Sequence, residues 1–245
     1  MSEIIGGLNS VLEALRARAD SFERIYMSQG RLRPALLELF KAARAAGIKV
    51  TRVERSRLDQ IYDDRGHQGV VARIGVYRYF SLEQILDRAK GPRSLVLILD
   101  GIQDPMNLGS LLRSAEAAGS AGVILPRERA APITAVTLKA SAGAAEHVAV
   151  ARVVNLVRVI EELKQEGFWV LGAHQDAEAS LYDQDLSQRL ALVVGGEGKG
   201  LRRLVAKSCD CLVSIPLRGQ VSSLNAAVAG ALAMFEYVRQ TREQK

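Results

Sequence analysis

Residues 190–200 have the sequence Leu-Ala-Leu-Val-Val-Gly-Gly-Glu-Gly-Lys-Gly, an apolar run that passes directly into a glycine-rich loop. The apolar part, residues 190–194, has the length and β-branched content of a buried parallel strand. After a helical segment, a second strand at residues 211–216 leads through residues 217–223 into a long apolar helix that begins near Leu224. In an open α/β sheet, small-residue loops at the carboxyl ends of strands are where ligands bind.

The composition is that of a folded, mildly basic protein. The chain has 245 residues, enough for one α/β domain or two modest ones with a sizeable core. With 48% hydrophobic and 24% charged residues, disorder is not expected. The 33 Lys and Arg against 27 Asp and Glu give a net charge of +6. Such a charge fits a nucleic-acid partner, or a basic surface with no partner, and charge alone leaves both possibilities open.

Cysteine usage and hydropathy set the expected compartment. Cys209 and Cys211 are too close together for a disulfide framework and too few for a zinc site with thiolate ligands. We therefore expect no metal. No basic start is followed by a long apolar core, and no apolar run reaches the roughly 18 residues needed to span a bilayer. We expect a soluble, cytoplasmic protein with no membrane partner.

The first 75 residues alternate helix and strand patterns, which is typical of a small α/β unit. Residues 3–16 begin with Ile4-Ile5-Gly6-Gly7 and continue as a helix pattern. The elements expected after it are strand 22–27, helix 33–46, strand 48–53, helix 57–62 and strand 69–74. Arginine is dense in this unit, and its planar guanidinium suits phosphate recognition. A solvated charged face is the alternative for each arginine taken singly. The arginines are Arg16, Arg18, Arg24, Arg31, Arg33, Arg44, Arg52, Arg55, Arg57, Arg65 and Arg73.

A connector at residues 76–92 ends at Gly91-Pro92, which breaks the helix expected at residues 82–89. The second unit again alternates strands and helices, and residues 174–189 are expected to form a polar loop. Its expected elements before that loop are strand 95–99, helix 107–118, strand 123–125, helix 133–139, strand 148–151, helix 156–167 and strand 168–173.

The glycine-rich loop matches neither common phosphate-binding motif. A Walker loop requires Ser or Thr after its lysine, and here Gly200 follows Lys199. The dinucleotide-binding fingerprint requires Gly-x-Gly-x-x-Gly in the first βα unit, and this loop lies far down the chain. The motifs of serine hydrolases and zinc proteases are also absent. Glycines would still let backbone amides approach a ligand closely, although a glycine turn without a ligand is the alternative.

Three segments follow one another along the chain: residues 107–114 (NLGSLLRS), residues 195–198 (GGEG), and residues 215–216 (IP) with 222–227 (SSLNAA). Together they resemble the signature motifs of the SpoU family of RNA ribose 2′-O-methyltransferases. Residues 139–144 (KASAGA) and 67–72 (HQGVVA) are also similar to that family. The resemblance covers essentially the whole chain, and three ordered motifs are far more specific than any one of them.

The resemblance implies a two-domain α/β protein, which periodicity alone would not indicate. Residues 1–75 would form an RNA substrate-binding domain similar to a small ribosomal-protein fold, and residues 76–92 a linker. Residues 93–245 would form a SPOUT-type methyltransferase domain with a mostly parallel sheet and a deep trefoil knot at its carboxyl end, a feature nearly absent from other folds. The knot loops would hold S-adenosylmethionine, and the protein would be a homodimer with the site at the subunit interface.

The resemblance also implies roles for individual residues. Arg113 would lie beside the target ribose, and because a guanidinium is a poor proton acceptor we favour a grip on the RNA phosphate over a role as base. The other residues assigned to catalysis, as orienting groups, are Asn107, Glu197, Ser223 and Asn225. For Asn107 and Asn225 the alternative is helix N-capping, which is compatible with an orienting role. The residues assigned to cofactor binding are Gly195, Gly198, Ile215, Ser222, Leu224 and Ala226.

The expected substrate is the least specific part of the prediction. The length and the N-terminal domain are most similar to family members that methylate a guanosine in the peptidyl-transferase region of bacterial 23S rRNA. Members that act on tRNA, or on rRNA elsewhere to confer antibiotic resistance, share the same motifs. A non-catalytic RNA-binding relative and an unrelated nucleotide-using α/β enzyme are the remaining alternatives.

Overall fold

The computed structural model describes residues 2–31, 33–62, 65–198 and 200–242, without the side chain of Arg65. The strands are β1 (Ser2–Gly6), β2 (Phe22–Ser28), β3 (Val50–Val53), β4 (Val70–Gly75), β5 (Leu95–Asp100), β6 (Gly122–Pro126), β7 (Val150–Val153), β8 (Trp169–Ala173), β9 (Ala179–Ser180), β10 (Leu190–Gly195) and β11 (Cys211–Ser214). The helices are α1 (Leu8–Arg18), α2 (Pro34–Ala45), α3 (Arg55–Ile61), α4 (Leu82–Arg88), α5 (Pro105–Ala117), α6 (Ala135–Ala140), α7 (Leu156–Gln165), α8 (Arg203–Ser208) and α9 (Ala226–Thr241). The chain divides into two compact units, Met1–Arg78 with Pro132–His147, and Tyr79–Ala131 with Val148–Lys245.

The first unit is built on a four-stranded sheet of order β1-β4-β2-β3. Strand β4 is antiparallel to β1 and β2, whereas β2 and β3 are parallel. Alternation along β2 buries Ile25 and Met27 completely against Ala72 and Val70 of β4. This is the period-2 pattern of a strand with one core-facing side, and it confirms the α/β character expected of this part of the chain.

The block at residues 67–72 joins separate elements of the first unit. The His67 ring is fully buried, and its Nδ1 accepts a hydrogen bond from the Gly69 N–H at 3.0 Å. Its Nε2 lies 3.0 Å from the Asp59 carboxylate on α3. The Gln68 side chain accepts a hydrogen bond from the Leu8 N–H at the start of α1. The block therefore stabilises the first unit through its own side chains.

Residues 132–147 belong to the first unit, although they lie inside the range 93–245 that the sequence assigns to the catalytic domain. Helix α6 packs against β1. Arg18 donates two hydrogen bonds of 2.8 Å to the Glu146 carboxylate, which is only 3% exposed. The Tyr77 hydroxyl donates to the Ala145 carbonyl at 3.0 Å. These contacts shift the compact units away from the expected bounds, and the division of function between the domains stays a prediction.

The second unit contains a seven-stranded sheet of order β7-β6-β5-β10-β8-β11-β9. Every neighbouring pair is parallel, which confirms the mostly parallel sheet. The central strands β5 and β10 are buried along almost their whole length, as expected for strands covered on both faces. Helices α4, α7 and α8 cover one face. Helices α5 and α9 pack together and α9 contacts β10 from the other face.

All strands of this sheet have their carboxyl ends at the same edge, and the loops that leave that edge carry the three motifs. The predicted trefoil knot of the carboxyl-terminal segment stays a prediction. Across the described ranges, no helix combines the length and apolarity needed to cross a membrane.

Candidate active site

The glycine-rich loop after β10 is shaped by close backbone approaches. A Cβ atom at Gly195 would lie 2.3 Å from the carbonyl carbon of Gly200, and one at Gly196 would lie 2.4 Å from the Gly101 oxygen. The Gly196 N–H donates to the Asp100 carbonyl at 2.9 Å. The loop therefore folds back on itself and against the turn after β5, and a larger residue at either position would separate these backbones. Lys199, in the middle of the loop, lies outside the described residues.

Asp100, at the end of β5, binds the chain just after the same loop. Asp100 is only 1% exposed. Its carboxylate accepts hydrogen bonds from the Arg202 backbone N–H at 2.8 Å and from Arg202 Nε at 2.5 Å. Asp100 and Arg202 are not among the residues that the sequence motifs assign to the site. A carboxylate at the end of an otherwise apolar strand was the available signal, because a buried charge requires partners.

One residue from each signature motif meets in a single hydrogen-bonded cluster. Glu197 Oε1 accepts from Asn107 Nδ2 at 2.5 Å and from Asn225 Nδ2 at 2.8 Å. The Asn225 amide also donates to Asn107 Oδ1 at 3.0 Å. We refer to Asn107, Glu197 and Asn225 as the polar cluster. It joins α5, the glycine-rich loop and the start of α9 at the carboxyl edge of the sheet.

Helix capping separates the roles of the two asparagines. Asp104, not Asn107, is the N-cap of α5, and its carboxylate accepts from the N–H groups of Met106 and Asn107. The capping alternative is therefore wrong for Asn107, whose side chain is available to Glu197. Asn225 does cap α9, because its Oδ1 accepts from Ala227 N–H at 2.9 Å and from Val228 N–H at 3.2 Å. Its Nδ2 donates to Glu197 at the same time, so capping is compatible with the predicted orienting role.

Arg113 and Ser223 are not part of the polar cluster. Arg113 lies on the exposed side of α5, and Ser223 lies in the exposed loop before α9. Neither side chain forms a hydrogen bond or ion pair within the described part of the chain. The structure therefore brings together three of the five residues assigned to catalysis, and leaves Arg113 free for a ligand.

The residues assigned to the cofactor border the same edge of the sheet. Gly198 has a φ of 75° with open space around its Cα, and Ser222 is exposed. In the described ranges, the backbone groups of Ile215 and Leu224 form no hydrogen bond, so they remain available to a ligand. Ala226 is the first residue of α9. Open loops with unused backbone groups fit an adenosine moiety, although the individual assignments stay predictions.

Metal binding has no candidate in the described residues, because they contain no cluster of three or more His, Cys, Asp or Glu side chains suited to a metal ion. Burial raises the pKa of the Cys209 thiol to about 12, which keeps it protonated at neutral pH. The Cys209 thiol is therefore unreactive, and its side chain packs against the hydrophobic core next to α8.

An apolar cleft adjoins the polar cluster between α5 and α9. It has a volume of about 510 Å³ and includes Asn107 and Asn225 in its lining. Val228, Leu232 and Phe235 of α9 form its apolar wall and are 48%, 40% and 47% exposed. Their spacing places them on one side of the helix. We call these three residues the apolar stripe.

Two family models account for most of the chain. Residues 94–235 match the model of the SpoU rRNA methylase family. The chain belongs to the SpoU rRNA methylase family. Residues 4–80 match a second model, described as RNA 2′-O ribose methyltransferase substrate binding. The SpoU match covers all three motifs that contribute to the polar cluster.

Individual relatives are similar over nearly the full length of this SpoU family member. The 23S rRNA (guanosine-2′-O-)-methyltransferase RlmB of Xanthomonas campestris pv. campestris is 44% identical over 239 residues, which is 96% of each chain. RlmB of Escherichia coli K12 is 41% identical, covering 98% of this chain and 99% of its own. The crystal structure of an AdoMet-bound rRNA methyltransferase from Sinorhizobium meliloti has a TM-score of 0.81 and 27% identity, covering 99% of this chain and 88% of that chain.

Proposed function

We propose that this protein transfers a methyl group from S-adenosylmethionine to the ribose 2′-hydroxyl of a guanosine in 23S rRNA. The observation that carries the proposal is the polar cluster, in which Asn107, Glu197 and Asn225 meet although they are far apart in sequence. Relatives at 44% and 41% identity bear the name of that activity. The peptidyl-transferase region stays the expected location of the guanosine.

S-adenosylmethionine, when bound, supplies a methyl carbon on a sulfonium, so the protein must position the hydroxyl and assist loss of its proton. In this proposal Arg113 grips the RNA phosphate next to the target ribose, since a guanidinium donates hydrogen bonds but does not accept a proton. The polar cluster holds the glycine-rich loop against α5 and α9, so that hydroxyl and methyl donor meet in one geometry. The Ser223 side chain, which has no hydrogen-bond partner among the described residues, would orient the ribose.

The cofactor would lie against the loops that follow β10 and β11. Gly195 and Gly198 let the backbone approach it, while Ile215 and Leu224 offer their unused backbone groups to the adenine and ribose. Ser222 and Ala226 complete the wall of the pocket. Carbonyl and N–H groups on rigid loops recognise a nucleoside with little loss of side-chain entropy on binding.

A second copy of the chain would cover the apolar stripe. The stripe continues directly from Asn225, and an exposed apolar surface beside polar groups is typical of an interface. Homodimer formation through α9 would thus close the cleft beside the polar cluster and place the site at the subunit boundary, as the family resemblance implies. An rRNA substrate would also place the protein in the cytoplasm.

The decisive experiment is methylation of total RNA from a strain that lacks the gene, with labelled S-adenosylmethionine, followed by mapping of the labelled nucleotide. The expected result is one 2′-O-methylguanosine in 23S rRNA, absent when RNA from the parent strain is used. Label in tRNA would replace the proposed substrate by the alternative one. Absence of label in any RNA would favour a non-catalytic RNA-binding protein.

Cofactor binding is tested separately by thermal denaturation. S-adenosylmethionine at a hundredfold excess over its Kd should stabilise the protein by about 2.7 kcal/mol, whereas ATP and NAD should not. Ser222→Trp should reduce this stabilisation by filling the pocket, and Ser222→Ala should retain it. Stabilisation by ATP or NAD instead would favour an unrelated nucleotide-using enzyme.

A further inference from the structure

A second cleft opens on the unit Tyr79–Ala131 with Val148–Lys245, away from the apolar stripe. Its volume is about 670 Å³, and it is lined by residues 79–84, Arg127 and Arg152. Arg127 follows β6 directly, and Arg152 lies in the edge strand β7. The Phe80 N–H donates to the Val150 carbonyl at 2.8 Å, so residues 79–84 run beside the edge strand and form the opposite wall. None of these residues belongs to the motifs of the family.

The cleft holds two arginines, Arg127 and Arg152, that have no acidic partner among the described residues. The Arg152 guanidinium lies 5.3 Å from the centroid of the Tyr79 ring and donates a hydrogen bond to the Arg127 carbonyl. Neither Arg127 nor Arg152 forms an ion pair within the described ranges. Stacking on an aromatic ring leaves part of the guanidinium edge free, and a fork of N–H donors suits a phosphate group. Because the Arg152 side chain is already oriented, less entropy is lost when it binds an anion.

One acidic group faces the same cleft. Glu83 lines it and is fully exposed, and the Ser81 hydroxyl holds the pKa of its carboxyl below the usual value. Glu83 is therefore ionised at neutral pH and would oppose an anion in the cleft. Among the described residues that line the cleft, the two arginines outnumber this one carboxylate, so the lining carries a net positive charge.

Backbone contacts connect the cleft to the candidate active site. The Ala131 N–H donates to the Ile102 carbonyl at 2.8 Å, so the loop that begins at Arg127 lies against the turn after β5. Gly101, in that turn, packs against Gly196 of the glycine-rich loop. Strands β5, β6 and β7 are neighbours and parallel, so their carboxyl ends lie at one edge of the sheet. Because adjacent strands are about 4.8 Å apart, β5 and β7 are separated by about 10 Å.

We propose that Arg127 and Arg152, supported by Tyr79, form a phosphate-binding subsite for the RNA strand that flanks the acceptor nucleotide. The subsite rests on the proposed function, since it takes the same RNA. Phosphate contacts fix the register of a nucleic acid on a protein without reading its sequence. A contact on the catalytic unit itself would set which ribose along the strand reaches Arg113, independently of affinity supplied by the first unit.

The experiment compares RNA binding and methyl transfer for Arg127→Ala, Arg152→Lys and the double variant, on the same 23S rRNA fragment at several salt concentrations. Arg127 is exposed, so its replacement preserves the fold, and Arg152→Lys retains the charge while removing the fork and the stacking. Lys207→Ala is the control, because this exposed lysine on α8 precedes β11 at the opposite edge of the sheet. Glu83→Gln removes the opposing charge and should have the reverse effect.

For Arg127→Ala we expect a log–log salt slope smaller by about 0.7 and RNA affinity about fivefold weaker, with a larger affinity loss in the double variant. The KM for RNA should rise while affinity for S-adenosylmethionine is unchanged. Glu83→Gln should bind about twofold more tightly and Lys207→Ala like the wild type.

The two proposals can fail separately in this assay. If the wild type methylates the fragment but the double variant keeps its affinity, slope and KM, the subsite is overturned and the proposed function stands. If the wild type binds the fragment without methylating it, and the variants weaken that binding, the phosphate-binding role stands and the proposed function falls. An equal loss in Lys207→Ala would show a diffuse charge effect and overturn the subsite.

Discussion

Asp104 caps helix α5 and Asn107 binds Glu197, two roles that the sequence alone could not assign to one residue or the other. Both residue types are good N-caps, and helix ends cannot be located to the residue from a pattern. With Asp104 as the cap, α5 starts two residues before the expected position and the Asn107 side chain points to Glu197. The motif match assigns Asn107, Glu197 and Asn225 to one site, and hydrogen bonds bring these three side chains together. Their chemical roles stay predictions.

At Arg113, replacement by alanine should abolish methyl transfer and leave the protein otherwise intact. The side chain is exposed and forms no hydrogen bond or ion pair with the described residues, so we expect stability and cofactor affinity to be independent of it. Loss of a charged donor at the acceptor should lower kcat by about 100-fold or more. Single-turnover transfer, with calorimetry of S-adenosylmethionine binding, measures both quantities. A variant that loses cofactor binding would contradict the role at the acceptor.

Asp100→Asn should destabilise the second unit, because the buried carboxylate is the anchor for the chain after the glycine-rich loop. The Arg202 backbone N–H and guanidinium both depend on it. We expect the free energy of unfolding to fall by about 1–3 kcal/mol. Arg202→Ala is the matched control: its backbone N–H still reaches Asp100, but the exposed half of the ion pair is lost.

Urea denaturation of the second unit gives the comparison between these two variants. Asp100→Asn should shift the midpoint more than Arg202→Ala, and it should also weaken cofactor binding by loosening the loop. Equal midpoints for Asp100→Asn and the wild type would show that the carboxylate does not anchor the loop.

At the scale of elements, the sequence predicts the helices and strands whose pattern of apolar residues lies within a single short stretch of the chain. Strands β5 and β10 were expected because a continuous apolar run between loops is typical of a buried parallel strand. Strand β1 was missed, since Ile4-Ile5 precedes two glycines and the helix pattern that follows dominates the window. Its pairing with β4, about seventy residues away in the chain, makes it a strand. The contact of Arg18 with Glu146 likewise spans 128 residues and leaves no local signal.

Helix α9 is held at its carboxyl end by a buried glutamate whose charge is linked to folding. Glu236 is 7% exposed and accepts hydrogen bonds from Arg239 and from Gln240 Nε2. Gln240 also accepts from the Leu186 N–H and donates to the Gln184 carbonyl. The Arg239 hydrogen bonds hold the pKa of the Glu236 carboxyl below its usual value. The ionised glutamate therefore organises the contact between α9 and residues 184–186.

Glu236→Gln should reduce stability at neutral pH and lose this effect in acid. Because the folded pKa is lowered, the stabilisation is present above the unfolded pKa of about 4.3 and disappears as pH falls through the folded value. Arg239 is largely exposed, so the effect should be about 1 kcal/mol or less. Melting curves of both proteins from pH 7 to pH 3 should converge at low pH. A constant difference at all pH values would assign the loss to packing.

At the scale of the whole molecule, the apolar stripe predicts how two copies associate. Phe235→Glu places a charge at the centre of the proposed interface, where its desolvation would be unfavourable, and should give a monomer. Leu204→Glu is the control, because Leu204 is 61% exposed on α8, on the other face of the sheet. Sedimentation analysis distinguishes the two states. A Phe235→Glu dimer as stable as the wild type would place the interface elsewhere.

The first unit offers a specific test of its proposed RNA affinity. Arg24 on β2 and Arg73 on β4 are directly opposite each other across the sheet, and neither has a partner within the described residues. Like charges in a cross-strand pair are destabilising, and an RNA phosphate between them would remove the repulsion. Several other arginines of this unit already have internal partners, such as Arg18 with Glu146 and Arg16 with Glu13 and Glu38.

Arg24→Ala with Arg73→Ala should therefore weaken RNA binding without lowering the melting temperature of the free protein. Each lost phosphate contact should reduce the log–log salt slope by about 0.7 for single-stranded RNA. Point variants suit this test better than truncation near residue 92. Residues 132–147 belong to the same compact unit as residues 1–78, so the truncation would remove the residues against which they pack. Arg16→Ala removes an arginine already paired with carboxylates and should leave RNA affinity unchanged. If the double variant and Arg16→Ala bind the 23S rRNA fragment equally well, the Arg24–Arg73 pair is a solvated face and the RNA anchor lies elsewhere.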